Sequence, residues 1–120
     1  MTTRKSLGQQ GEQAAADYLK SRGYSVVEAN WHCQHGEIDL VARQDATLVF
    51  VEVRTRQANN TEKAFESIGP TKRKRLQALA YAYLSAHQLQ HIEWRIDLIA
   101  IAWQRNDAPI IEHVENGLDW

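Results

Sequence analysis

Apolar residues recur at spacings of three and four through Leu7, Ala14, Ala15, Tyr18 and Leu19, which predicts a first helix over residues 6–22, stopped by Gly23. Its expected packing face is made of small residues, Gly8, Gly11, Ala14 and Ala15, which let the backbone lie close to a sheet at some cost in helix propensity. Glu12 shares the helical spacings with Ala15, Ala16 and Leu19, so its carboxylate should point along the surface toward that sheet. Beyond Gly23 the rhythm becomes that of strands. Residues 24–30 predict a first strand and residues 31–36 a loop. Residues 36–54 form a hairpin around the turn Gln44-Asp45-Ala46-Thr47. Leu48, Phe50 and Glu52 fall on one face of its second arm and Val49, Val51 and Val53 on the other. A strand apolar on both faces is a central strand. Polar residues 57–67 read as irregular. A second helix runs over 70–87 with a stripe of Leu76, Leu79, Ala80, Tyr83 and Leu84. Strands over 95–103 and 110–114, separated by a turn at 106–109, complete an α/β chain of order αβββαββ.

The hairpin puts acids where apolar side chains belong. A register that pairs Arg43 with Leu48 also sets Asp39 opposite Glu52, since side-chain pairing is fixed by the turn. Opposed like charges about 5 Å apart are destabilising, and a bound cation is the natural compensation. Cleavage of a phosphodiester by a metal ion needs such oxygen ligands, with positions left for water and a phosphate oxygen. Arg54, two residues beyond Glu52 on the same face, stands where it can stabilise charge on phosphorus. The same register also sets Glu37 opposite Arg54, which by itself is an ordinary cross-strand ion pair worth about 0.5 kcal/mol; the two readings are compatible.

The 120 residues, 43% of them hydrophobic, suffice for one domain spanning 1–120. The net charge of −1 means that any affinity for nucleic acid must come from a local patch. Between Val53 and Arg75, seven basic residues stand against two acidic ones, a local +5, and the segment after Arg105 is acidic. Arg56, Lys72, Arg73, Lys74 and Arg75 are therefore the expected contacts to a DNA backbone. Basic side chains at a helix start oppose its dipole unless a phosphate offsets them. Cys33 is the single cysteine, so an internal disulfide is excluded. The polar start and the lack of a long apolar run lead to the expectation of a cytoplasmic protein with no membrane association.

Gly8-x-x-Gly11-Glu12-x-x-Ala15, Gly36-Glu37-Ile38-Asp39-Leu40, Phe50-Val51-Glu52-Val53-Arg54-Thr55-Arg56, Lys72 and Arg95-Ile96-Asp97, in that order, resemble the YraN family of predicted endonucleases. That family is similar to the Holliday-junction resolvases of the PD-(D/E)xK superfamily, and the resemblance covers nearly the whole chain. It implies a restriction-endonuclease-like core, here a mixed five-stranded sheet flanked by helices, and Mg²⁺- or Mn²⁺-dependent hydrolysis of branched or structured DNA. It also implies that Asp39, Glu52, the Val53 carbonyl and Glu12 hold the metal. Symmetric cutting of a junction would require a homodimer. In the superfamily pattern residue 54 is usually lysine. Arginine binds phosphate but does not deprotonate near neutral pH, so a general base at this position is excluded. Lys72 and Lys74 are candidates for a relocated lysine. The alternative is a catalytically weak or inactive nucleic-acid-binding module of the same fold. A protein-interaction domain unrelated to DNA is a third class, expected to bind its partner with little salt dependence.

Other clusters carry less. His32-Cys33-Gln34-His35 and His87-x-x-x-His91 lack the paired cysteines of structural zinc, and nothing orients a Cys33–His nucleophile. Gln77 and Tyr81 share a helix face at a spacing common by chance. Asp97 is expected to pair with Arg95, and Trp103 and Trp120 to pack in the core and tail.

Overall fold

The computed structural model describes residues 6–116; Trp120 lies outside them. The elements are α1 (Leu7–Ser21), β1 (Ser25–Cys33), β2 (Gly36–Gln44), β3 (Thr47–Gln57), α2 (Glu62–Glu66), α3 (Pro70–Ala86), β4 (Glu93–Trp103) and β5 (Ile110–Val114). One five-stranded mixed sheet of order β1-β2-β3-β4-β5 is flanked by helices on both faces. Its neighbours are antiparallel except β3 and β4, which run parallel because the chain crosses over between them through α2 and α3.

Alternation along β3 and β4 divides the core in two. Leu48, Phe50, Ile96 and Leu98 pack with Leu76, Leu79, Ala80, Tyr83 and Leu84 of α3. Val49, Val51, Ile99 and Ile101 pack with Ala15, Ala16 and Leu19 of α1. The expected α3 stripe is thus the buried one. On α1 the buried residues are Gly11, Ala15, Ala16 and Leu19, whereas Gly8 is exposed. Ser6 opens α1 with a capping box, its Oγ accepting from Gln9 N–H at 3.1 Å while Gln9 Oε1 accepts from Ser6 N–H at 3.0 Å.

Two expectations are corrected. The order αβββαββ gains the five-residue α2, which anchors segment 57–67 by burying Ala64. Strand β1 runs on through Trp31, His32 and Cys33, residues expected in a loop, because Cys33 pairs with Gly36 and leaves a two-residue turn. Gly36 takes φ 130°, a conformation that favours glycine. Trp31 and Cys33 then pack against the α3-side core.

Gly11 sets how closely α1 approaches β3. A Cβ there would overlap Thr55 Oγ1 and lie 3.0 Å from Thr55 Cβ and 3.2 Å from its Cγ2. Gly11→Ala is expected to cost about 1–3 kcal/mol by overpacking, read as a fall in the urea midpoint, and Thr55→Gly in the same chain to recover part of it. An unchanged midpoint would show that α1 can move away freely.

Asp97 is fully buried, and its pairing with Arg95 is as expected. Its Oδ1 accepts from Arg95 Nε at 2.9 Å and from Asn116 N–H at 2.9 Å, and its Oδ2 lies 2.7 Å from His113 Nε2. Arg95 also donates to Tyr24 Oη at 2.9 Å and Gln44 Oε1 at 3.0 Å, so one network ties β2, β4 and β5 to the residue that leads into β1. Burial alone would raise the Asp97 carboxyl. The hydrogen bonds from His113, Arg95 and Asn116, with the Arg95 charge, outweigh it and hold the carboxyl below its ordinary 3.8.

Candidate metal centre and adjoining basic cleft

The β2–β3 ladder runs from Gln44↔Thr47 through the expected Arg43↔Leu48 to Leu40↔Val51 and stops there. On the other side of β2, pairing steps from Ala29↔Leu40 to Trp31↔Ile38. Asp39 therefore has no ladder partner on either side. Opposite it on β1 stands Asn30, whose φ of 56° breaks the regular strand. Alternation slips at this point: Leu40 and Ala42 face α1, whereas Val41 and Ile38 both face α3. Acids from both faces of the sheet can consequently meet around Asp39.

The expected ladder pair of Asp39 with Glu52 does not form, because the ladder ends one residue short of it, yet the two carboxyls still lie close enough to interact. Glu52 is 4% exposed. Asp39 Oδ2 accepts the Val53 N–H at 2.8 Å, and Val53 also lines the cleft. Burial, then the Glu52 charge and the hydrogen bond with Glu52, push the Asp39 carboxyl up to about 8 against the opposing effect of Val53 N–H, with Glu12 adding to the rise. Glu12 reaches the cluster from α1. Burial first, then the Glu37 charge, raise its carboxyl above the ordinary 4.5, offset in part by Asn30. With its amide turned to donate, Asn30 Nδ2 bonds Glu12 Oε1 at 2.9 Å and also reaches Glu37 Oε1.

Glu37 is the residue the sequence reading misplaced. The Glu37–Arg54 pair does not form, because the ladder that would oppose them ends at Leu40↔Val51. Glu37 instead lies 3.2 Å from His32 Nε2, and one carboxylate oxygen each from Glu12, Glu37 and Asp39 fall within 4.8 Å of one another. Three carboxylates at that spacing, with Glu52 beside Asp39, make an all-oxygen donor set that suits a hard divalent cation. It is a poor zinc set, having neither thiolate nor imidazole among the three.

Two cations close the other side. Arg54 Nη2 lies 2.9 Å and Lys72 Nζ 3.3 Å from Glu52 Oε2. Lys72 thus comes from the first turn of α3 to the acid that Arg54 also holds. A hollow of about 250 Å³ gathers Glu37, Asp39, Glu52, Arg54, Lys72 and Arg75. The remaining expected DNA contacts divide. Arg73 lines a separate apolar hollow with Phe65, Ile68 and Val114. Lys74 is exposed on α3, and Arg56 is exposed with its Nη1 on Thr55 O at 2.8 Å. Exposed Tyr81 packs its edge on Trp94, 5.4 Å between ring centres. His87 stacks on Tyr83, 3.9 Å between ring centres, a packing role.

Residues 11–101 match the model of the uncharacterised protein family UPF0102. The chain belongs to that family. A UPF0102 protein of Roseiflexus castenholzii is 50% identical over 117 residues, covering 95% of this chain and 94% of that one. One from Chloroflexus aurantiacus is 49% identical over 114 residues, 94% and 92% of the two chains. One from Herpetosiphon aurantiacus is 47% identical over 116 residues, 93% of each. Glu12, Glu37, Asp39, Glu52, Arg54 and Lys72 all lie inside the segment matched by the family model. Among the described residues no helix is long and apolar enough to cross a membrane.

Proposed function

We propose that this UPF0102 protein is a metal-dependent endonuclease that hydrolyses phosphodiesters in branched or structured DNA, built on a restriction-endonuclease-like core. The observation that carries the reading is one cleft holding Asp39, Glu52 and Glu37, with Glu12 joined to Asp39 from α1, and with Arg54 and Lys72 against the same Glu52 oxygen. Asp39, Glu52, Glu12 and Glu37 are the residues that would hold Mg²⁺ or Mn²⁺. When bound, such a cation supplies a water of lowered pKa and polarises the phosphoryl oxygens.

The chain's own groups do the rest. Arg54 and Lys72 donate to the non-bridging oxygens and stabilise the charge that builds as water adds to phosphorus and the bond to the leaving sugar oxygen breaks. Arg54 stays protonated throughout and takes no proton. Lys72 places a second point charge where the superfamily pattern puts a lysine at position 54. Exposed Arg56 and Lys74 hold the backbone without reading sequence. Homodimer formation and a cytoplasmic setting belong to the same proposal.

A second reading, a binding module with little turnover, is favoured by one observation: both cations already engage Glu52. Incubating the protein with linear, flapped and four-way DNA in Mg²⁺, Mn²⁺ or chelator separates the two. Product with metal supports the nuclease; binding without product in every metal supports the module. Within the nuclease reading, Lys72→Ala is expected to lower the cleavage rate about 10²-fold. Lys74→Ala should weaken DNA binding mildly and reduce its salt dependence by about one unit of slope. Equal effects of the two on the cleavage rate would remove Lys72 from the centre.

A further inference from the structure

A second hollow, about 350 Å³, adjoins the acid cleft and shares three of its walls, Arg54, Lys72 and Arg75. The two differ in charge. In the first, Glu37, Asp39 and Glu52 line the wall with those three cations; in the second the remaining lining is Ser67, Gly69, Pro70 and Thr71, with no acid, so only basic and neutral groups face it. Arg54 has a further donor to spend. Its Nη2 is engaged with Glu52, while its Nε is buried without a hydrogen-bond partner. A buried, unpaired guanidinium N–H costs about 1–3 kcal/mol, more beside other cations, unless an anion compensates.

We infer that this second hollow is a phosphate subsite, and that it takes the phosphodiester adjacent to the one being cut. Guanidinium forks match phosphate oxygens in geometry as well as charge; Arg75 supplies one beside the Lys72 ammonium, and Arg54 adds its charge from the shared wall. Thr71 adds a hydroxyl at the rim. Because Arg54 and Lys72 face both hollows, one strand can lie across them with successive phosphates in each. The subsite therefore anchors the strand through charge that needs no metal, and sets which phosphate reaches the acids. That the phosphate belongs to DNA rests on the nuclease reading; that the hollow binds phosphate does not.

The test uses chelated full-length protein titrated calorimetrically with inorganic phosphate, and separately with a short single-stranded oligonucleotide with and without a 5′-phosphate. Wild type should bind one phosphate per chain in the millimolar range. Arg75→Ala should weaken this at least tenfold, and Thr71→Glu, which places a carboxylate at the rim, should abolish it. Both residues are exposed, so neither change disturbs the core. Lys63→Ala, an exposed lysine of α2 outside the hollow, is the control and should bind as wild type. Oligonucleotide affinity that falls in both variants whether or not a 5′-phosphate is present identifies a backbone phosphodiester as the ligand. Dependence on the 5′-phosphate would overturn the assignment to an internal phosphate. Phosphate binding unchanged in Arg75→Ala and Thr71→Glu, or none to wild type, would overturn the subsite. Phosphate binding lost in both variants, with wild type failing to cut DNA in any metal, would support the subsite and sink the nuclease reading.

Discussion

Asp39→Asn should abolish metal-dependent cleavage, a loss of about 10³-fold or more, and at the same time make the metal-free protein more stable at alkaline pH. Both effects come from one carboxylate. Asp39 is held against Glu52 with Glu12 and Glu37 nearby, and its carboxyl is pushed up to about 8, chiefly by burial and then by the Glu52 charge. The metal-free fold therefore holds the Asp39 proton more tightly than the unfolded chain does. That contribution to stability is complete below the ordinary value of 3.8 and is lost as pH rises through about 8. The melting temperature of chelated wild type should accordingly fall on going from acid to mildly alkaline buffer. Asp39→Asn, carrying no charge, should flatten that fall, and saturating Mg²⁺ should reverse it in wild type alone. A wild-type melting temperature independent of pH and of Mg²⁺ would mean that the acids do not strain the fold as argued.

The largest expected loss of stability lies elsewhere, at Asp97. Asp97→Ala leaves Arg95 Nε, Asn116 N–H and His113 Nε2 without their shared acceptor inside the protein. Removing one partner of a buried ion pair costs about 3–5 kcal/mol, because the remaining charge stays desolvated. Urea unfolding followed by fluorescence should show a loss of that size. A change below about 1 kcal/mol would show that water or a rearranged Glu115, 3.9 Å from Arg95 Nη2, replaces the carboxylate. Because the Asp97 carboxyl is held low, its stabilising contribution is present above 3.8 and disappears only as pH falls below that value. Asp39 and Asp97 thus bias the metal-free protein in opposite directions. Asp39 favours mild acid, whereas Asp97 withdraws its support only in strong acid.

How much of this was readable in advance depended on whether the physics was local. The periodicity of α1 and α3 and the two-faced apolar run of β3 are local. So is the Gln44 to Thr47 turn, and the register it imposes does carry Arg43 opposite Leu48. Asp39, Glu52, Arg54 and Glu12 were named from those patterns and the motif order. The extension of β1 through Cys33 was not readable, since Trp31-His32-Cys33 has strand character only when paired with β2. Five-residue α2 is too short for a helical period to register. Glu37 was assigned to Arg54 because a regular ladder was assumed beyond Leu40. The slip at Asn30 and Asp39 ends that ladder and turns Glu37 toward Glu12. The positive φ of Asn30 is the residue-level sign of the slip, since asparagine tolerates that conformation better than most. Contact between Lys72 and Glu52 spans a crossover of twenty residues, and only the packing of α3 on the sheet produces it.

The central claim is that the carboxylates around Asp39 form a metal centre that cuts DNA. It is tested most directly by titrating Mg²⁺ into chelated wild type and Asp39→Asn side by side with a four-way DNA substrate and following cleaved strands. Wild type should yield no product in chelator and increasing product with Mg²⁺, while Asp39→Asn yields none at any concentration. Product formed in chelator, or product from Asp39→Asn that matches wild type, would contradict it.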